Sequence, residues 1–152
     1  TDIKVAEAIR AVSDGAREID MVANIGYFVA GEFTRAETEI REVRQALPYN
    51  VVLKVIIEAS LLSEENQRRA ARSVALAGAQ FVKTSTGFRG GATAEQVRAL
   101  VEGGEGKIEV KAAGGIRTVR QCEELLRAGA SRLGSSASVD IMEELARVKA
   151  QS

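Results

Sequence analysis

Short apolar runs without helical periodicity recur along the chain, and the spacing between them limits the folds that it can adopt. Five such runs are predicted to be β-strands: residues 18–23, 51–57, 80–84, 107–112 and 132–134. Neighbouring runs lie roughly 30 residues apart, which suits a crossover connection and is far more than a hairpin needs. The pattern therefore predicts an α/β protein whose parallel strands are joined by helices.

The segments between these runs carry apolar residues at helical spacing. Capping-box patterns, in which a threonine is followed three residues later by Glu or Gln, mark three predicted helix starts: Thr34 with Glu37, Thr93 with Gln96 and Thr118 with Gln121. Glycines suited to a positive φ mark three predicted helix ends: Gly15, Gly78 and Gly129. One helix-and-strand unit is therefore repeated along the chain.

Two architectures fit alternating strands and helices, an open doubly wound sheet and a parallel β/α (TIM) barrel. A complete barrel has eight units and usually takes about 250 residues. This chain has 152 residues and five predicted strands. No low-complexity linker interrupts residues 1–152, so we expect a single domain. The pattern leaves an open sheet and a partial barrel as alternatives.

Composition excludes several classes of function. The chain has 21 basic and 21 acidic residues, no histidine and one cysteine. Its interspersed charges favour neither nucleic acid nor an acidic membrane surface as a partner, and an ordinary zinc site lacks its ligands. The apolar runs are far shorter than the roughly 18 residues of a membrane span. We therefore expect a cytoplasmic, metal-free protein that acts on small molecules or proteins.

Charged residues stand where the strands of a buried parallel sheet should be apolar. They are Asp20, Lys54, Lys83 and Lys111, one on each of the first four predicted strands. Because neighbouring strands lie about 4.8 Å apart, the four side chains could converge on one pocket. The alternative is that each lysine simply extends from its strand end into solvent.

Lys83 and Lys111 are the pair with the clearest chemical meaning. A lysine amine has a reference pKa of about 10.4 and must lose its proton before it can attack a carbonyl. Partial burial and a second ammonium group both disfavour the charged form, which is how Schiff-base lysines are activated. Asp20 could relay a proton beside the imine, or it could neutralise Lys54 or Lys111 in a structural ion pair. The residues leave both roles open.

Glycine-rich turns after the strands suggest an anion-binding part of the same site. Gly114 and Gly115 follow the strand with Lys111, and residues 134–136 (Gly-Ser-Ser) precede the last predicted helix. β/α barrels commonly hold a phosphate in the loops after their last two strands. Thr86 and Gly87 lie in a flexible loop after Lys83 that could line the same pocket. Each turn taken alone could equally be an ordinary tight connection.

Five strings of residues closely resemble the deoxyribose-phosphate aldolase family in both order and spacing: EIDMV at 18–22, LKVIIE at 53–58, FVKTSTGF at 81–88, VKAAGGIR at 110–117 and GSS at 134–136. The resemblance implies a β/α (TIM) barrel and a metal-free class I aldolase. Such an enzyme reversibly cleaves 2-deoxyribose 5-phosphate into glyceraldehyde 3-phosphate and acetaldehyde. It further implies that Lys83 forms the Schiff base, that Lys111 lowers the pKa of Lys83, and that Asp20 is the acid/base group.

The resemblance also implies phosphate-binding roles for the glycine-rich turns, at Gly114, Gly115, Ser135 and Ser136. Three further residues are expected to bind substrate: Lys54, Thr86 and Gly87. Phe88 stands where some members of the family have a lysine.

Compared with the family, this chain lacks about three β/α units before its first helix, so its strands correspond to the fourth to eighth of a barrel. Such an arc would expose two strand edges and part of an apolar interior, which favours a homo-oligomer. Two other functions fit the same residues. The chain could be a partial barrel that serves as a binding or assembly module, or a lysine aldolase for another sugar phosphate.

Overall fold

The computed structural model describes residues 1–150 as alternating helices and strands. The helices are α1 (Asp2–Ser13), α2 (Ile25–Val29), α3 (Phe33–Ala46), α4 (Glu64–Leu76), α5 (Ala94–Gly104), α6 (Val119–Arg127) and α7 (Ser138–Ala150). The strands are β1 (Glu18–Val22), β2 (Val52–Ile56), β3 (Phe81–Lys83), β4 (Glu109–Ala113) and β5 (Arg132–Gly134). The five predicted strands are therefore confirmed, with small shifts at their ends. Within residues 1–150, no helix combines the length and the apolar character that crossing a membrane requires.

The strands form one sheet in which they follow each other in chain order, from β1 to β5. Every neighbouring pair is parallel. A doubly wound sheet reverses its strand order at a switch point, and no such reversal occurs among these strands. The structure therefore excludes the doubly wound alternative and is consistent with five consecutive units of a β/α barrel.

The apolar core lies between the outer face of the sheet and the helices. Alternate strand residues such as Leu53, Val55 and Val82 point outwards and are completely buried. They pack in one cluster with the apolar faces of the helices, including Ile40 in α3 and Val74 in α4. Burial of this face supplies the main driving force for folding.

The inner face of the arc carries charged side chains that pair across the sheet. Glu18, on the outer strand β1, accepts an ion pair at 2.8 Å from Lys54 of β2 and one at 2.5 Å from Arg132 of β5, the opposite outer strand. The Arg132 guanidinium also lies 4.6 Å from the centre of the Phe81 ring. The sheet is therefore curved enough for side chains of its two outermost strands to touch.

Two of the three predicted capping boxes are confirmed. Thr93 caps α5 and Thr118 caps α6, each with the reciprocal bond from a glutamine side chain. The third prediction was wrong, because α3 begins at Phe33 with Glu32 as its N-cap and Thr34 already lies inside the helix. Phe33 is buried and its ring lies 5.9 Å from that of Phe28, so this packing sets the start of the helix.

Helices α4 and α5 approach each other closely at Gly103. A Cβ atom at this position would lie 2.2 Å from the backbone oxygen of Arg68, and backbone cannot move aside as a flexible side chain can. Gly103→Ala is therefore expected to lower the free energy of unfolding by about 2–3 kcal/mol, measured by urea denaturation.

The matched control is Gly26→Ala in α2, where the new Cβ would meet only the side-chain oxygen of Asn24, at 3.2 Å. This change should be close to neutral, because the helix preference of alanine over glycine, about 1 kcal/mol, offsets the cost of the tight contact with a side chain that can move. Equal or greater stability of Gly103→Ala relative to the parent chain would contradict the close approach.

Candidate active site

One carboxylate, that of Asp20 in the middle of β1, accepts hydrogen bonds from three lysine side chains on the inner face of the sheet. Its Oδ1 accepts a hydrogen bond from Lys54 Nζ at 2.7 Å. Its Oδ2 accepts hydrogen bonds from both Lys83 Nζ and Lys111 Nζ, each at 2.8 Å. The sequence-predicted convergence of these four residues is therefore present in the structure.

Strand register explains why these side chains meet. Asp20 lies opposite Lys54 across the β1 and β2 pair, and Lys83 lies opposite Lys111 across the β3 and β4 pair. Each pair points to the inner face because side chains alternate along a strand. The curvature of the sheet then brings the lysines of β3 and β4 to the carboxylate of β1.

Lys54 differs from the other two lysines in its surroundings. It is 4% exposed and bound to two carboxylates, Asp20 at 2.7 Å and Glu18 at 2.8 Å. The side chains of Lys83 and Lys111 are 13% and 15% exposed. Lys54 is thus held beneath Asp20, whereas Lys83 and Lys111 face the space in which a ligand could bind.

The lysines change the acidity of Asp20. Partial burial by itself would raise the pKa of the carboxyl group, but the hydrogen bonds from Lys111, Lys54 and Lys83 outweigh it and hold that pKa well below its usual range. Asp20 is therefore ionised at neutral pH, and its charge offsets part of the repulsion among the three ammonium groups.

This low pKa predicts a pH-dependent contribution to stability. A carboxyl group whose pKa is lower in the folded state stabilises that state above its unfolded pKa of about 3.9, and this stabilisation is lost as the pH falls below that value. Asp20→Asn is expected to lower the free energy of unfolding at pH 7 by about 1–2 kcal/mol, after allowance for solvent screening. The difference from the parent chain should shrink below about pH 4.

Thermal denaturation of both proteins across this pH range measures the effect. The control is Asp14→Asn, which removes an exposed pair with Arg10 and should change stability by less than about 0.5 kcal/mol. A difference between parent and Asp20→Asn that stays constant with pH would show that the carboxylate is not stabilised by the lysines.

A cavity of about 350 Å³ opens beside Lys83 and Lys111. Its lining includes every predicted phosphate-binding residue as well as the loop after β3: Thr86, Gly87, Gly114, Gly115, Ser135 and Ser136. Arg117 also lines it, so three cations face the cavity and its lining contains no carboxylate. Lys54, by contrast, does not line this cavity. The arrangement suits a small ligand with a carbonyl at one end and an anionic group at the other.

The turns around the cavity depend on glycine. Gly114 and Gly115 both have positive φ, of +93° and +72°. A Cβ on Gly91 would lie 2.9 Å from the backbone oxygen of Gly114, so the loop after β3 packs directly on the turn after β4. Ser135 links the loop after β5 to the turn after β4, since its hydroxyl donates to the backbone oxygen of Ile116 at 2.6 Å.

A partial parallel β/α barrel with a cluster of ionisable side chains beside a cavity that is lined by the loops after β3, β4 and β5 belongs to the class of β/α-barrel enzymes, whose active sites lie at the carboxyl ends of the strands. The family within this class follows from comparison with known proteins. Residues 1–141 match the model of the DeoC/LacD family of aldolases. The chain therefore belongs to the DeoC/LacD aldolase family.

Curated relatives named deoxyribose-phosphate aldolase are similar over nearly the whole chain. The protein of Frankia alni is 50% identical over 144 residues, which are 93% of this chain and 63% of the relative. The protein of Corynebacterium diphtheriae is 47% identical over 146 residues, or 95% of this chain and 67% of the relative. The chain thus spans about two thirds of the length of these relatives.

Solved structures show the same fold. An aldolase designated QR15 superimposes with a TM-score of 0.89 at 40% identity, covering 96% of this chain and 66% of its own. The deoxyribose phosphate aldolase of Aeropyrum pernix, whose structure is described as a unique tetramer, gives a TM-score of 0.82 at 28% identity, with 97% and 62% covered. Both likenesses confirm the prediction of a partial β/α barrel.

Sequence reasoning assigned no role to Glu58, although the structure places it against the cavity loop. Its carboxylate is 4% exposed and accepts a hydrogen bond from the Thr86 hydroxyl at 2.5 Å. A charged residue directly after the apolar run at residues 55–57 is the signal that could have identified it, because the same logic singled out Lys83 and Lys111.

Proposed function

We propose that this chain carries the active site of a class I aldolase that reversibly cleaves 2-deoxyribose 5-phosphate into glyceraldehyde 3-phosphate and acetaldehyde. The observation that carries the proposal is the sharing of one Asp20 oxygen by Lys83 and Lys111 beside a cation-rich cavity. Membership of an aldolase family and the names of the curated relatives support it.

Lys83 is the proposed nucleophile. Its neutral amine adds to the aldehyde carbon of the open-chain sugar, and loss of water gives a protonated imine. Removal of the proton from the C3 hydroxyl then breaks the bond between C2 and C3. That electron pair passes into the imine to form an enamine, and C3 leaves as the aldehyde of glyceraldehyde 3-phosphate.

The enamine is then protonated at C2, and water hydrolyses the resulting imine to acetaldehyde and free Lys83. Asp20 is the proposed proton relay, acting directly or through water, because it is ionised and in contact with both Lys83 and Lys111. Both roles that the sequence left open for Asp20 are compatible, since the ion pairs also hold it in place.

The cavity beside the lysines is the proposed site of the phosphate group. Glycine turns bring backbone amides close to a bound anion, and a helix N-terminus favours negative charge. Here Gly114 and Gly115 form one wall, and Ser135 and Ser136 lie just before α7. Arg117, which follows β4, supplies a positive charge to the lining. It would compensate for Phe88 in the loop after β3, which stands in place of the lysine of some relatives.

Association with further copies of the chain is part of the proposal. β1 and β5 are the outermost strands of the sheet, so each has an unpaired edge within residues 1–150. The Aeropyrum pernix relative is described as a tetramer, which supports assembly in this family.

Product release from 2-deoxyribose 5-phosphate tests the proposed reaction. The chain should release glyceraldehyde 3-phosphate at a rate above that of its Lys83→Leu variant. It should act far more slowly on ribose 5-phosphate, whose extra hydroxyl lies on the carbon that becomes the enamine. Preferential cleavage of another sugar phosphate would change the proposed substrate and leave the proposed Schiff-base mechanism in place. Equal rates for the parent chain and Lys83→Leu would contradict the proposed catalysis.

A further inference from the structure

Glu58, two residues after the end of β2, combines two unfavourable features. Its backbone is left-handed, with φ +49° and ψ +61°, a conformation that residues other than glycine rarely adopt. Its carboxylate is buried, and none of the ion pairs formed within residues 1–150 includes it. Both features cost stability, so packing does not explain them.

The Glu58 carboxylate accepts hydrogen bonds from a single residue, Thr86, in the loop after β3 that lines the cavity. Thr86 donates its hydroxyl to Oε2 at 2.5 Å and its backbone N–H to Oε1 at 3.3 Å. The same hydroxyl accepts the backbone N–H of Phe88 at 3.2 Å, across Gly87 with its φ of +102°. Glu58 therefore fixes the turn at residues 86–88, two of which line the cavity.

Neighbours of Glu58 hold the rest of the loop. The N–H of Ile57 donates to the backbone oxygen of Lys83 at 3.1 Å, and that of Ala59 donates to Thr84 at 2.8 Å. The Ser60 hydroxyl donates to the backbone oxygen of Arg89 at 2.8 Å. The segment at residues 57–60 is thus hydrogen-bonded to the loop at both ends, from Lys83 to Arg89.

The left-handed backbone has a geometric consequence. It ends β2 and begins the 3₁₀ turn at Ala59–Leu61, and this turn is itself held by Gln67, whose side-chain amide donates to the backbone oxygens of Ala59 and Leu62. An anchored turn keeps the Glu58 side chain aimed at the neighbouring loop and not at solvent.

We infer that Glu58 is a positioning residue of the anion site, which holds Thr86 and Gly87 in the geometry that binds the phosphate group of the substrate. The inference rests on the proposed function. Glu58 does not line the cavity and acts on it only through Thr86. Its strained backbone and buried carboxylate are the cost of presenting this loop to the anion.

Glu58→Gly tests the inference, because glycine accepts the left-handed backbone and removes the side chain that binds Thr86. The matched control is Glu105→Gly. Within residues 1–150, Glu105 is the one further non-glycine residue with a positive φ, at +51°. It is the C-cap of α5 and lies away from the cavity. Both substitutions relieve backbone strain, and only the first releases Thr86.

Binding of inorganic phosphate, measured by calorimetric titration, is expected to weaken about tenfold in Glu58→Gly, the scale of one lost hydrogen bond to a charged group. Amide hydrogen exchange at Thr86 and Phe88 should accelerate in the same variant. Glu105→Gly should match the parent chain in both measurements. Glu58→Gln, which keeps the size and loses the charge, should fall between them.

Unchanged phosphate affinity in Glu58→Gly would overturn the inference, and so would an equal loss in Glu105→Gly. A parent chain that binds no phosphate would overturn it as well. Borohydride trapping of acetaldehyde on Lys83, which involves no phosphate, separates these outcomes from failure of the aldolase proposal. Trapping without phosphate binding rejects the anion site and the role of Glu58, whereas phosphate binding without trapping rejects the Schiff base.

Discussion

Replacement of Lys111 by leucine is expected to slow imine formation at Lys83 by about a hundredfold at neutral pH, which corresponds to about 2.7 kcal/mol in the activation barrier. Lys83 and Lys111 compete for the same oxygen of Asp20, each at 2.8 Å. Without Lys111, Asp20 pairs more strongly with Lys83, which makes the Lys83 amine less available to attack a carbonyl.

The rate is measured by quenching mixtures of protein and acetaldehyde with borohydride at successive times. Lys111→Arg, which keeps the positive charge, should retain more of the rate than Lys111→Leu. A rate in Lys111→Leu equal to that of the parent chain would leave Lys111 as a bystander.

The second large effect concerns the open edges of the arc. The 152-residue chain is expected to self-associate at micromolar concentration, because β1 and β5 each carry an edge without a strand partner within residues 1–150. A groove of about 440 Å³ runs along β1 and α1 and is lined partly by apolar residues such as Ala8, Ile19 and Met21. Ile3 of α1 is also 81% exposed.

Sedimentation velocity and calorimetry measure this behaviour. The chain should form dimers or larger species, or melt with low cooperativity, whereas the full-length Frankia alni relative should give one discrete species under the same conditions. A monodisperse, cooperatively melting monomer would contradict this expectation. The charged inner face would then suffice to keep the arc soluble, through ion pairs such as that of Glu18 with Arg132.

The elements could be predicted from sequence because their signals are local. Gly15, Gly78 and Gly129 have φ of +107°, +86° and +110°, as their places at predicted helix ends require. The capping boxes at Thr93 and Thr118 need only residues within one helical turn. The start of α3 depends instead on the contact of Phe33 with Phe28, which no local pattern indicates.

The candidate site was predictable only in part, for the same reason. Four charges on consecutive strands predict convergence, since parallel strands end at one edge of the sheet. The partners of each charge depend on register and curvature, as the position of Lys54 between Glu18 and Asp20 shows. The bond from Thr86 to Glu58 joins residues 28 positions apart in sequence, and its geometry depends on the left-handed backbone of Glu58.

The central claim is that Lys83 forms a Schiff base, and site-specific trapping tests it most directly. The chain is incubated with acetaldehyde, reduced with borohydride and digested, and the modified residue is located by mass spectrometry. Only an imine is reduced to a stable secondary amine, so the modified lysine is the one that formed it. We predict an ethyl group on Lys83 and none in the Lys83→Leu variant. Label on Lys54 or Lys111 instead, or no label above that found on exposed lysines such as Lys107, would contradict the claim.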